Sequence, residues 1–83
     1  MKLLYFAWLR QKTGIGEEDL TLPADIANLR QLTAFLAARG NGYAEAFGDL
    51  KLLRAAINQE HAGFDMPIGP DDEIAFFPPV TGG

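Results

Sequence analysis

The sequence predicts an α+β domain: a small mixed sheet with one main helix packed across one face, ending in an extended tail. Three observations carry this. Residues 2–10 and 73–77 are apolar, aromatic-rich runs, the second closed by Pro78-Pro79, as strands are. Residues 29–39 repeat leucine at helical spacing between an N-capping asparagine, Asn28, and a glycine, Gly40. After Pro78-Pro79 the chain closes on Gly82-Gly83. A chain of 83 residues holds one core, so residues 1–77 are read as the domain and 78–83 as the tail.

The elements follow in order. Lys2 to Arg10 reads as one strand, with Leu3, Tyr5, Ala7 and Leu9 facing one side and Leu4, Phe6 and Trp8 the other. Both rows are apolar, so the second either is covered or forms a docking surface. Gly14 and Gly16 mark a turn, and Asp19 to Pro23 reads as a short strand completing a hairpin. Asn28 and Gln31 then form a capping-box pattern ahead of the helix over 29–39. Arg39 falls in its last turn, where a cation suits the helix dipole. Tyr43 to Phe47 is consistent with a single helical turn. Residues 51–58 read as a strand, 65–72 as a connector dense in chain breakers, and 73–77 as the last strand. Phe76 is assigned to the core and Phe77 to the opposite face. One helix across one side leaves the other side of the sheet bare.

Composition narrows the function. Seven Lys+Arg against eleven Asp+Glu give a net charge of -4, which argues against a nucleic-acid binder. No apolar run approaches the length of a membrane span. The N-terminal apolar run is interrupted by Arg10 and Lys12 and lacks a cleavage site, so it reads as a strand of a cytoplasmic protein. Cysteine is absent, which excludes disulfide bridges, thiolate metal sites and a cysteine nucleophile. The single histidine, His61, reads as a solvated loop residue. Glu17-Glu18-Asp19 and Asp71-Asp72-Glu73 read as solvated acidic loops, the second shaping a turn. An apolar content of 48% in so small a chain predicts an exposed apolar patch.

The chain end is the most informative segment. Pro78-Pro79 stiffens the backbone, and residues 78–83 reach about 20 Å when extended. Two glycines without side chains suit a narrow channel. The group that arrives there is the Gly83 carboxylate.

Three segments resemble the small, sulfur-carrying subunit family of molybdopterin synthases, within the ubiquitin-like β-grasp proteins. They are Phe6-Ala7-Trp8-Leu9-Arg10, Ala56-Ile57-Asn58-Gln59, and the run from Asp71 through Phe76-Phe77-Pro78-Pro79-Val80-Thr81-Gly82-Gly83. The resemblance implies a β-grasp fold and a sulfur carrier that binds no cofactor of its own. An adenylyltransferase similar to ubiquitin-activating enzymes would use ATP to adenylate Gly83, and a sulfur donor enzyme would convert it to a thiocarboxylate. The large synthase subunit would form a heterotetramer of two small and two large subunits. It would take the tail into its pocket, where sulfur passes to cyclic pyranopterin monophosphate. The chain is then the sulfur-donating subunit of an enzyme whose pocket lies elsewhere. Gly82 would serve tail access, and Phe6, Trp8, Phe77, Pro78, Pro79, Val80 and Thr81 would meet partners. His61 falls where the family can place an apolar contact residue. The alternatives are a thiazole-pathway sulfur carrier, a ubiquitin-like modifier joined to lysines through Gly83, and an interaction module with an inert tail.

Overall fold

The computed structural model describes residues 1–79. Its elements are β1 (Lys2–Tyr5), α1 (Trp8–Thr13), β2 (Glu17–Asp19), α2 (Leu29–Ala37), α3 (Asn41–Phe47), a 3-10 turn (Leu50–Leu52), β3 (Arg54–Ile57), β4 (Glu60–Ala62) and β5 (Glu73–Phe77). The sheet has five strands in the order β2-β1-β5-β3-β4. β1 and β5 run parallel at its centre, and every other pair is antiparallel. The predicted mixed sheet with one main helix across a face is the architecture found.

The main helix starts as its sequence predicts but ends at Ala37 rather than 39, so Arg39 lies beyond the last turn and does not serve the helix dipole. Asn28 has an extended backbone, and its side chain accepts from the Gln31 amide at 2.9 Å. The reciprocal half of the capping box is displaced by one residue: Gln31 Oε1 accepts from the Ala27 amide at 2.6 Å. Two more first-turn donors, the amides of Leu29 and Arg30, reach the carbonyls of Met66 and Phe64. Leu29, Leu32 and Leu36 are fully buried, each contributing about 1.5–3 kcal/mol. Gly40 follows the helix at φ 81, a conformation that glycine adopts without strain.

Against that helix the sheet presents Leu3, Tyr5, Ala55, Ile74 and Phe76, all buried. An aromatic cluster closes the core. Phe47 meets Phe76 edge-on at 4.9 Å and Tyr5 at 5.7 Å.

Several sequence expectations are corrected. The first strand stops at Tyr5, not Arg10, because Ala7 takes φ 56, ψ -135 and turns the chain into α1. Helical geometry then places Leu9 in the core and leaves Trp8 half-buried against it, so Trp8 is not on the bare side of the sheet. The second strand is Glu17–Asp19, earlier than expected, and Leu20 and Leu22 pack on the core from irregular chain. The 51–58 segment splits into the 3-10 turn and β3. The sequence predicts no strand over Glu60–Ala62, where β4 forms. It pairs with β3 across Asn58-Gln59, both at positive φ, as a two-residue primed hairpin turn requires.

Candidate docking face and polar clamp

Strand parity decides which side chains the helix leaves uncovered. With Leu3, Tyr5, Ala55, Ile74 and Phe76 directed inward, Leu4, Ala56, Ala75 and Phe77 face the other side. Cross-strand register lines up Leu4, Ala75, Ala56 and His61 in one row. Phe77 lies one step along β5, opposite Arg54. Phe6 continues from β1 with its amide on the Phe76 carbonyl and is 48% exposed. It shares an open hollow with Leu4, Arg10 and Ile15. The outer sheet face therefore carries an apolar strip of half-buried side chains, with Ala56 buried among them and Phe6 exposed at its end, rimmed by Lys2, Glu17, Glu73 and Arg54.

The strip runs into the chain end. β5 holds Phe77 half-buried, and Pro78 and Pro79 leave the strand directly after it, also half-buried. Val80, Thr81, Gly82 and Gly83 lie outside the described residues. Of the expected contact residues, the fold brings Phe6 and Phe77 to one face and leads into Pro78-Pro79 from it. Trp8 lies elsewhere, in α1.

His61 is on this face rather than in a loop. It sits in β4 with its ring edge-to-face against Phe77, centroids 5.4 Å apart. Its hydrophilic sequence neighbours concealed the strand, which exists through pairing with β3.

Two polar groupings fix the frame behind the face. Asn58 donates to Asp72 Oδ1 at 2.9 Å and accepts from the Glu73 amide at 3.0 Å, while Asp72 Oδ2 accepts from the Gly69 amide at 2.8 Å. This ties the β3–β4 hairpin to the start of β5, with Asp72 shaping the turn as expected.

The other grouping overturns the reading of Glu17-Glu18-Asp19 as a solvated loop. Glu18 accepts from the Tyr5 hydroxyl at 2.6 Å, the Tyr43 hydroxyl at 3.2 Å, and Arg39 in a two-pronged pair at 2.8 and 3.1 Å. Arg39 also lies over the Tyr43 ring, 4.8 Å from its centroid. Burial pushes the Glu18 carboxyl up, but the hydrogen bonds and charge of Arg39, with the Tyr5 and Tyr43 hydroxyls, outweigh it and hold the group below its ordinary range. Burial first, and then the bond to Glu18, push the Tyr5 phenol up. Arg39 thus joins β2 to the helical layer. No local pattern marks this, because its members are far apart in sequence.

Comparison with known proteins agrees with this architecture. Among solved structures, a Pyrococcus furiosus protein described as a candidate molybdopterin converting factor, subunit 1, superposes with a TM-score of 0.69 over 95% of each chain at 24% identity. Small archaeal modifier protein 1 of Haloferax volcanii gives 0.67 over 96% of this chain and 97% of its own, at 21% identity. These share the β-grasp fold. Two curated relatives are each named molybdopterin synthase sulfur carrier subunit. The Escherichia coli protein is 42% identical over all of this chain and 99% of its own. The Homo sapiens protein is 31% identical over all of this chain and 93% of its own. The ThiS family model matches residues 3–83. The chain belongs to the ThiS family of β-grasp proteins, and the relatives it resembles along its whole length are molybdopterin synthase sulfur carrier subunits.

Proposed function

We propose that this chain is the sulfur carrier subunit of a molybdopterin synthase and that Gly83 carries the sulfur. The observation that supports it most is the 42% identity to a sulfur carrier subunit across the full chain. The outer apolar strip, continuous with Pro78-Pro79, offers a surface that would seat a partner beside the emerging tail.

The chemistry asks little of the carrier's own side chains. A carboxylate is a poor acyl donor because its leaving group would be oxide. Attack of the Gly83 carboxylate on ATP, catalysed by the adenylyltransferase, expels pyrophosphate and leaves an acyl-adenylate. Sulfur from a donor enzyme then adds to the acyl carbon and AMP departs, so one oxygen is replaced by sulfur. The large subunit receives the thiocarboxylate in its pocket; the sulfur attacks a carbon of cyclic pyranopterin monophosphate with displacement of an oxygen substituent, and water then cleaves the resulting thioester, leaving the sulfur on the pterin and returning the Gly83 carboxylate. Two carriers supply the two sulfurs of the dithiolene, one each, and the synthase would hold two small and two large subunits. Gly82 keeps the approach to the pocket narrow, and Phe6, Phe77, Pro78, Pro79, Val80 and Thr81 form the contact surface. Trp8, half-buried against the core from α1, stands outside this surface. ATP is a substrate of the activating enzyme, and the carrier needs no bound cofactor.

The test is intact mass after incubation with ATP, a sulfur donor and a matching activating enzyme. The expected result is a gain equal to exchanging one oxygen for sulfur, absent when Gly83 is deleted. An unchanged mass beside an activating enzyme shown to be active on another carrier would sink the proposal.

A further inference from the structure

His61 is the single histidine of the chain and lies on the outer strip, and histidine is the side-chain type suited to switching charge between pH 5 and 8. The strip is otherwise apolar along this row: Leu4, Ala75 and Ala56 lead to the imidazole, and Phe77 packs on it at 5.4 Å. Phe77 immediately precedes Pro78-Pro79. A partner seated beside the emerging tail would meet Phe77 and the imidazole packed on it.

The charged groups around His61 come from each neighbouring element. Glu60 precedes it on β4. Arg54 of β3 is the cross-strand neighbour of Phe77. Asp72, from the connector before β5, lines the hollow beside His61 with Glu60, Met66 and Pro67. Asp72 is already engaged by Asn58 and the Gly69 amide. Glu73 begins β5. Among the described residues, none of these forms an ion pair with the imidazole. Protonation would thus place an uncompensated cation on a face that docking desolvates, which opposes docking.

We propose that His61 is a docking residue of this face and that the large synthase subunit binds it as the neutral imidazole, so that docking weakens on acidification. This rests on the sulfur-carrier reading and adds to it a residue and a protonation state. One consequence is that carrier and large subunit separate more readily as pH falls, while the carrier itself stays folded.

The test measures the dissociation constant of the full-length carrier and its matching large subunit by calorimetry, between about pH 5.5 and 8. The carrier is used as found, as His61→Leu and as His61→Gln. The unsubstituted carrier should lose roughly tenfold in affinity for each pH unit below the imidazole's midpoint in the free protein. Both variants should lack that component. Titrations within the large subunit are common to all three and cancel in the comparison. Profiles of the same shape for all three carriers would overturn the proposal, as would tighter binding of the unsubstituted carrier in acid. Absence of binding at every pH, together with no thiocarboxylate at Gly83, would instead overturn the sulfur-carrier reading on which it rests.

Discussion

Replacing Glu18 by Gln tests whether the polar clamp holds the sheet to the helical layer. The side chain keeps its shape but loses its charge and one of its two acceptor atoms. In the native clamp Tyr5 and both Arg39 nitrogens donate to the carboxylate at 2.6–3.1 Å. Hydrogen bonds to a charged group contribute about 1 kcal/mol more than neutral ones, so Tyr5 and one Arg39 nitrogen together lose about 2 kcal/mol. The second Arg39 nitrogen meets an amide donor. Because the Arg39 side chain is 29% exposed and turns to water, that contact costs only about 1 kcal/mol. The total is about 3 kcal/mol, or roughly 12–24 °C in Tm for a domain of this size.

Circular dichroism melts across pH provide the assay and a second readout. The folded Glu18 carboxyl lies below its unfolded value of about 4.3, so its stabilisation is full above that pH and is lost as pH falls through the folded value. The gap between the native protein and Glu18→Gln should therefore be constant near neutrality and narrow below about pH 4. A gap under about 3 °C at pH 7, or one that does not narrow in acid, would show that the Glu18 charge does not hold the sheet to the helical layer.

Two further outcomes follow from backbone geometry. Gly42→Ala would ordinarily stabilise a helix by about 1 kcal/mol. In α3 the added methyl would run into the Lys12 carbonyl where α1 crosses, so urea unfolding should show a loss of about 1–3 kcal/mol. Ala7→Gly should do the reverse of the usual Ala→Gly change: relief of the positive-φ backbone, about 1–3 kcal/mol, exceeds the entropy cost of glycine, about 0.5–1 kcal/mol. A raised melting temperature is expected, and a lowered one would show that the turn at Ala7 carries no strain.

Elements whose causes are local can be read directly from the residues. Asn28 and Gln31 mark the start of α2 because capping involves residues three or four apart. Glu73–Phe77 is bounded as expected because a strand cannot continue into two prolines. Parity alone separates Phe76 from Phe77. Features that depend on distant partners emerge only in the folded chain. Ala7 carries no glycine-like signature, yet packing of α1 on the core forces its backbone to turn, which removes Trp8 from the row that begins at Leu4. β4 has no strand character of its own, and pairing with β3 makes it a strand and sets His61 on Phe77. Glu18 reads as solvent-facing in a run of three acids until the fold brings Tyr5, Arg39 and Tyr43 around it. Contacts across more than a few residues depend on where the chain returns, and the sequence records that return only through the core it builds.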